Sequence, residues 1–477
     1  MVSVLRVLRV VVTSLTVACA LFGMLHYVAL LLWGILSHRL LRRQRAATRE
    51  QALRSARSRT DLPGVSMVLP AFNEEVVIVD SVRAVFAQDY PDLEVIVVSD
   101  GSTDRTLGVL VDMFDLEVFE GPHVSGPLLT KPVRAVYRSH TEPRLVVIDK
   151  EASGAKADGS NCAVNYSTKP WVAIMDADEL VDSRAVLRCM TQVAHTHADE
   201  NVIAVGVTLL PTNGSTIEDR RVVRSNVSHN PWVGFQTVEY LGAFCVSRPG
   251  MSEIGAMPIV SGGFGLFRRD ALIRAGGYTH GSLGEDLDMV VRLHRCFREA
   301  KERYRVLQVP EAIVWTEFPS SHDVLRRQRI RWHRGLRQVI RAHKGVVGRA
   351  RYGTFGMLGM LTMYAFEWLA VLVEAFGYVM LAVLLLSGWV VPSSAFAAYV
   401  ASQALGILIA TLAVRTANQY LDVYHGTSNA VRLLGWAILG QFGFRQLTVL
   451  WRIRSLFGGS TGWGVMPRVG FANTATS

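Results

Sequence analysis

Cysteine is scarce: five in 477 residues, Cys19, Cys162, Cys189, Cys245 and Cys296. Their spacing is neither paired nor of metal-ligand type. That excludes a disulfide framework and fits a reducing compartment. No internal repeat is present, which excludes a solenoid. Acid is missing where base is dense: residues 326–351 hold ten Lys or Arg and no Asp or Glu. The net charge is +10. Nucleic acid is one partner that such a charge suits; the positive cytoplasmic side of a membrane is another. Half of the residues are apolar, and they are concentrated toward the two ends. The membrane reading therefore takes precedence, and a lipid bilayer rather than a nucleic acid is expected as partner.

Charge is also absent from long stretches. Val10–Leu36 contains no Asp, Glu, Lys or Arg and exceeds the ~20 residues that cross a bilayer. Arg6 and Arg9 precede it, and Arg39, Arg42, Arg43 and Arg45 follow. The heavier positive flank follows the run, so the chain beyond it is expected to be cytoplasmic. Ala18-Cys-Ala20 resembles a signal-peptide cleavage site, but the apolar run continues past it, longer than a signal core. Thr354–Val391 carries only Glu367 and Glu374 as charges. As one helix it would measure about 57 Å, against a core of ~30 Å. A break is therefore expected, with an interfacial helix to about Trp368 and a span over Leu369–Val390. Glu367 and Glu374 share a helix face, set to line a sugar path or to meet the basic helix. Ala395–Val414 reads as a further span. Leu433–Leu450 contains Gln441, Arg445 and Gln446; it is expected to span as well, with a re-entrant path as the alternative.

The middle of the chain alternates apolar runs with polar loops. Val65–Leu69 and Leu93–Val98 read as strands, with a helical pattern between them to Gln88. Leu145–Ile148, Trp171–Met175 and Val202–Leu210 are further strands. Strand, loop, helix, strand is the start of a doubly wound, mostly parallel sheet. Such sheets place their sites at the carboxyl ends of strands. Here those ends carry Ala71-Phe-Asn-Glu-Glu75, Ser99-Asp-Gly-Ser-Thr-Asp104 and Asp176-Ala-Asp178. On a continuing strand Asp176 and Asp178 would share a face, and two oxygen donors there suit Mg²⁺ or Mn²⁺ holding a diphosphate. Small residues surround Lys156 and Asp158 in Gly154-Ala-Lys-Ala-Asp158, which lets an ammonium approach phosphate. Val260-Ser-Gly-Gly-Phe264 joins glycines to an aromatic ring, suited to a flat polar ligand such as a sugar. Gly284-Glu-Asp286 opens a helix. Gln328, Arg331 and Trp332 fall at i, i+3 and i+4, one helical face that can hold a diphosphate and stack on a ring. Taken singly, each segment also fits a cap, a turn, a hairpin or a solvated basic helix.

In this order the motifs resemble those of the family 2 inverting glycosyltransferases. Gln328-x-x-Arg331-Trp332 further resembles the signature of processive synthases of cellulose, chitin, hyaluronan and poly-N-acetylglucosamine. The resemblance covers roughly residues 65–340 and implies a nucleotide-binding α/β fold of the GT-A type. It implies donor contacts from Ala71, Glu75, Asp100, Lys156, Asp158, Asp176, Gln328, Arg331 and Trp332, with the metal at Asp178 and Asp176. It places the acceptor at Ser261, Gly262, Glu285 and Trp332, and makes Asp286 the base, with Glu285 as runner-up. Many members have two acids before the glycine of the second motif; here the first is Ser99, which leaves Asp100 alone to meet the base of the nucleotide.

The expected layout is an anchor in residues 1–40, a basic linker in 41–62 and a glycosyltransferase domain in 63–320. Interfacial helices follow in 321–368, transmembrane helices in 369–452 and a tail in 453–477. The expected function is transfer of sugar from a UDP-sugar, N-acetylglucosamine or glucose, to a growing β-linked polysaccharide at the plasma membrane. The transfer would be processive and coupled to export, with an accessory export or regulatory subunit as a further partner. Transfer to a lipid phosphate, or a silent membrane scaffold, are the rival readings.

Overall fold

The computed structural model describes residues 2–48, 53–54, 62–121, 126–196, 200–218, 220–421 and 423–457. The chain opens with helix α1 (Val2–Thr48). Then come β1 (Val65–Ala71), α2 (Ile78–Phe86), β2 (Leu93–Asp100), α3 (Thr106–Phe114), β3 (Leu116–Val118), β4 (Val133–Ser139) and β5 (Leu145–Lys150). Next are α4 (Lys156–Tyr166), β6 (Trp171–Met175), β7 (Leu180–Val181), α5 (Ala185–His195) and β8 (Val202–Pro211). A small hairpin, β9 (Thr216–Glu218) and β10 (Arg221–Arg224), leads to α6 (Pro231–Gly242), a π-helical turn (Ala243–Ser247) and α7 (Arg248–Glu253). The domain ends with β11 (Phe264–Arg268), α8 (Arg269–Arg274), α9 (Glu285–Glu299), β12 (Arg305–Thr316) and α10 (His322–Ala342).

Ten strands form one sheet in the order β3-β4-β5-β2-β1-β6-β11-β8-β12-β7. Its pleat sorts the core. Met67, Val97 and Ala173 pack into one apolar cluster, and Val68, Ile96 and Val172 into another. Alternate residues of β1, β2 and β6 thus bury opposite faces, which is why these strands read as unbroken apolar runs. The sheet is mixed and mostly parallel: β3, β5, β2, β1, β6, β8 and β12 share one direction, while β4, β7 and β11 oppose it, β11 entering between β6 and β8. Phe264, the first residue of β11, lies beside Met175, the last of β6. Antiparallel entry therefore brings Ser261–Gly263 to the carboxyl end of β6.

Among the described residues three helices are long and apolar enough to cross a membrane: Ser3–Arg45, Phe355–Leu386 and Pro392–Tyr420. The break expected near Trp368 is absent; π-helical turns at Phe355–Met360 and Met363–Leu369 run on into α11 (Ala370–Leu386). Helix α12 spans Pro392–Tyr420. The third carboxyl-terminal span is corrected. Residues 433–450 divide between α13 (Thr427–Leu439) and α14 (Arg445–Arg454), with a kink at Phe442 and Gly443. Gly443 has φ +93°, a left-handed conformation that ends a helix. Residues 49–52 and 55–61 of the basic linker, and the tail from residue 458 with Trp463, lie outside the described residues.

Helix α1 packs against α7, α11 and α12 and so ties the domain to the apolar helices. At Gly250 a Cβ would sit 2.3 Å from the carbonyl oxygen of Trp33. Gly250→Ala is expected to separate α7 from α1 and cost ~1–3 kcal/mol. Gly108, in α3, has nothing within 4 Å of a Cβ. Gly108→Ala is expected to gain ~0.4–1 kcal/mol by restricting the unfolded chain. Thermal unfolding of both variants in detergent checks the pair; equal shifts would refute the close helix approach.

Candidate active site

The carboxyl ends of the parallel strands converge as their registers require. Ala71 pairs with Ser99, and Asp100 with Lys150. The loops after β1 and β2 are stitched together. Asn73, at φ +56°, accepts from the Thr103 backbone N–H at 2.8 Å, and Glu75 accepts from that of Arg105 at 2.8 Å. A left-handed Asn is tolerated where its side chain bonds locally.

Behind them sits a group that the sequence motifs did not single out. Lys150 is wholly buried and pairs with Asp100 and, at 2.9 Å, with Asp158. Ser153 donates a further bond to Asp100. The two carboxylates expected near the nucleotide are therefore held by one buried ammonium. Lys150 ends a strand just as Asp100 does, but a lysine there reads as solvent-exposed from sequence alone.

At the end of β6 the chain turns instead of continuing as a strand: the Glu179 N–H bonds the Asp176 carbonyl at 3.3 Å. The shared-face argument for Asp176 and Asp178 is thus corrected; a turn, not a pleat, presents them. Asp176 pairs with Lys156, whose ammonium also donates to the Gly262 carbonyl at 2.6 Å. The Gly262 N–H donates to Asp286 Oδ2 at 3.2 Å, and the Leu287 N–H to Asp286 Oδ1 at 2.8 Å. The Asp176 N–H donates to the Gly263 carbonyl at 2.9 Å. One short glycine segment thus joins the Asp176 turn, Lys156 and Asp286.

Lys156, Asp176, Ser261, Gly262, Glu285, Asp286, Gln328, Arg331 and Trp332 all line one cavity of 730 Å³. Ala71, Glu75, Asp100, Asp158 and Asp178 are not in its lining; they sit along the adjoining strand ends and loops. Glu179, which the sequence reading passed over, is buried and lines the cavity too. The string Gln328–Gly335 reaches the site through a close helix contact. A Cβ on Gly335 would lie 2.8 Å from the Leu283 carbonyl, so only glycine lets α10 approach the start of α9, where Asp286 stands. Arg329 lies over the Trp332 ring at 4.9 Å and pairs with Glu239 at 2.6 Å. Gln328 Oε1 is buried without a hydrogen-bond partner among the described residues.

Charge is concentrated here. Burial depresses the Lys156 ammonium, but Asp176 and Glu285 outweigh it and hold its pKa above the ordinary value. Burial pushes Glu285 up to about 7, against the pull of Lys156. Burial lowers Arg331, opposed by Asp286, Asp176 and Glu285. Asp288 resists burial and falls to about 2 because His343, Thr279 and Arg292 donate to it.

Among the described residues no three His, Cys, Asp or Glu form a metal cluster. The Asp176–Asp178 turn carries two carboxylates, hard oxygen donors of the kind a divalent ion takes beside phosphate and water; Asp176 is paired with Lys156, and Asp178 lies outside the cavity lining. The cavity continues between the apolar helices, past Tyr27, Gly406 and Gln441. At that end Arg445 pairs with Glu374 at 3.1 Å, and Arg452 with Glu367 at 3.9 Å. Both arginines come from α14, not from the basic helix α10.

Two family models match this region: "Glycosyl transferase family 2" over residues 66–127 and "Glycosyltransferase like family 2" over residues 130–335. Together they cover more than half of the chain, which belongs to the family 2 glycosyltransferases. Curated relatives include the poly-β-1,6-N-acetyl-D-glucosamine synthases of Staphylococcus aureus, 23% identical over 280 residues, and of Staphylococcus epidermidis, 23% identical over 277 residues. The first match covers 59% of this chain and 56% of the relative, the second 58% and 55%; the chain spans about half the length of the curated relatives it matches. Among solved structures, a mannosyltransferase from Pyrobaculum calidifontis, in complex with GDP-Man and Mn²⁺, aligns with a TM-score of 0.56 at 20% identity. That alignment covers 90% of this chain and 99% of the other. The likeness bears on the fold.

Two outcomes follow. Lys150→Met leaves two buried carboxylates without their cation and is expected to cost ~3–5 kcal/mol, read by thermal unfolding; unchanged stability would refute the clamp. Glu285 is protonated in folded and unfolded chains below its ordinary pKa of 4.5. Between 4.5 and about 7 the folded chain keeps a proton that the unfolded chain has lost, so stability falls as pH rises. Glu285→Gln is therefore expected to stabilise the ligand-free protein by up to ~3 kcal/mol at pH 8 and far less at pH 5. A gain independent of pH would contradict this.

Proposed function

We propose that the protein is a membrane-embedded inverting transferase that moves sugar from a UDP-sugar to a growing β-linked polysaccharide. The observation that carries this reading is the single cavity. It holds Asp286, Asp176, Lys156, Arg331, Gln328 and Trp332 at one end and runs between the apolar helices at the other. A donor site continuous with a path between candidate spans suits addition coupled to export, catalysed processively on the cytoplasmic side of the plasma membrane. The staphylococcal relatives support N-acetylglucosamine as the sugar, with glucose as the alternative.

In this mechanism Asp286 takes the proton of the acceptor hydroxyl as that oxygen attacks C1 of the donor sugar. The C1–O bond to the diphosphate breaks on the opposite face, and UDP leaves with the bonding electrons, inverting the anomeric centre. Two backbone N–H groups fix the Asp286 carboxylate, so its orientation costs little at the moment of reaction. Lys156 and Arg331 place positive charge where the diphosphate gains negative charge. Trp332 offers a ring face for the sugar at the junction of donor and acceptor. Mg²⁺ or Mn²⁺, held by Asp176 and Asp178, would neutralise the departing diphosphate. Asp100 and Asp158, aligned by Lys150, are assigned to the nucleoside side, with Ala71 and Glu75. Gly262, Ser261 and Glu285 are assigned to the acceptor side.

The test is turnover by purified protein in lipid nanodiscs, with Mg²⁺ or Mn²⁺, of labelled UDP-N-acetylglucosamine and UDP-glucose, with GDP-mannose as a third arm. Release of UDP together with a polymer is expected. Release without polymer, with label in the lipid phase, would favour a lipid-phosphate acceptor. Asp286→Asn is expected to slow transfer by ~10²–10⁴-fold while leaving UDP affinity unchanged; full activity in that variant would remove Asp286 from its role.

A further inference from the structure

The cavity is lined by a cation, Arg248, that the donor chemistry does not use and that, unlike Arg329, Arg445 and Arg452, forms no ion pair among the described residues. Arg248 begins α7, directly after the π-helical turn Ala243–Ser247, and lines the cavity. Its guanidinium lies over the Phe244 ring at 4.1 Å. Nη1 is buried and has no hydrogen-bond partner among the described residues. The acids that act on Arg248, Asp286 and Glu367, do so through space. They also locate it: Asp286 marks the reacting end, and Glu367 lies on the π-helical turn that leads into α11. The π-turn and the Gly250–Trp33 contact fix the backbone on either side, so the side chain is aimed rather than loose.

A buried donor on a charged group is costly when unmatched. Burial lowers the pKa of Arg248 only to about 10, so it stays charged at neutral pH and cannot escape that cost by losing its proton. The missing partner is therefore an oxygen-rich ligand that enters the cavity on the membrane side of Asp286. A diphosphate does not suit this place, because Lys156 and Arg331 already flank the Asp176 turn. A sugar chain does: its hydroxyl and acetamido oxygens accept hydrogen bonds.

We propose that Arg248 is an acceptor-binding residue, which hydrogen-bonds the sugar unit behind the accepting one and sets how far the chain end reaches toward Asp286. This rests on the reading of the cavity as the site of chain extension, and it adds a specificity for oligomeric over single-sugar acceptors.

The experiment uses the full chain in nanodiscs. Binding of short β-linked N-acetylglucosamine oligosaccharides to the UDP-loaded protein is measured by calorimetry, alongside UDP affinity, acceptor KM and product length. Arg248→Gln is expected to weaken oligosaccharide binding and raise acceptor KM by roughly 10- to 100-fold, the loss of one hydrogen bond from a charged donor. UDP affinity should not change, and products should shorten. Arg248→Lys, which keeps charge but not the planar fork, should fall between and serves if the Gln variant does not fold. Wild-type oligosaccharide affinity and product length in both variants would overturn the proposal. So would a shifted pH profile of kcat with acceptor binding intact, which would make Arg248 an electrostatic partner of Asp286 instead. A wild-type protein that turns over no UDP-sugar sinks the functional reading while leaving the binding comparison in place.

Discussion

The Gly262–Gly263 backbone is the constraint on which the site depends. Its carbonyl and amide groups bond Lys156, Asp286 and Asp176. A side chain there would displace the carboxylates. A Cβ on Gly263 would lie 2.0 Å from Glu179 Oε1, and one on Gly262 would lie 3.3 Å from Asp286 Oδ2. Bare backbone lets three acids and a lysine keep these positions. Its peptide dipoles then serve two charges of opposite sign: carbonyl to ammonium, N–H to carboxylate. The antiparallel direction of β11 delivers this segment, and the register of Phe264 on Met175 sets its height.

A second glycine contact controls the other wall. Helix α10 is strongly basic, and nothing in its charge would hold it against the acidic start of α9 at a defined distance. Electrostatics attract the two over a broad range; the Gly335 contact with Leu283 and Gly284 fixes the approach. Asp288 then anchors the far end by accepting from His343 at 2.8 Å, just beyond the last turn of α10. The Gln328–Trp332 face is thus positioned by sterics at one point and a buried hydrogen bond at another. The free surface charge of the helix remains available for the membrane side.

Much of this was legible in the sequence, and the reasons differ from part to part. β1, β2 and β6 are buried on both faces, so they appear as plain apolar runs with polar residues at their ends. The strand-end rule then found Asp100 and Asp176. Helical spacing found the shared face of Gln328, Arg331 and Trp332. Strand direction was not legible: a five-residue run such as Phe264–Arg268 has the same period whichever way it points, so the antiparallel entry of β11 could not be read from it. The turn at Asp176–Glu179 was missed because a local hydrogen bond, not side-chain periodicity, ends β6. Lys150 was missed because a lysine at a strand end reads as solvent-exposed until two carboxylates are seen to enclose it. The kink at Gly443 was missed because hydropathy sums over a window that a single left-handed glycine can divide.

The membrane end shows why composition alone misjudged the helices. Gln441, Arg445 and Gln446 lowered the apparent apolarity of residues 433–450 and prompted the question of whether that stretch spans. In the fold these polar groups satisfy one another or face the cavity: Arg445 bonds Glu374 and the Tyr27 hydroxyl. Polar groups at membrane depth are tolerated only where they meet protein or water. Their position around the cavity means that the same residues that break the apolar pattern build its polar lining. The residues on either side of the kink at Phe442 and Gly443 thus supply cavity lining, Gln441 before it and Arg445, Thr448 and Arg452 after it.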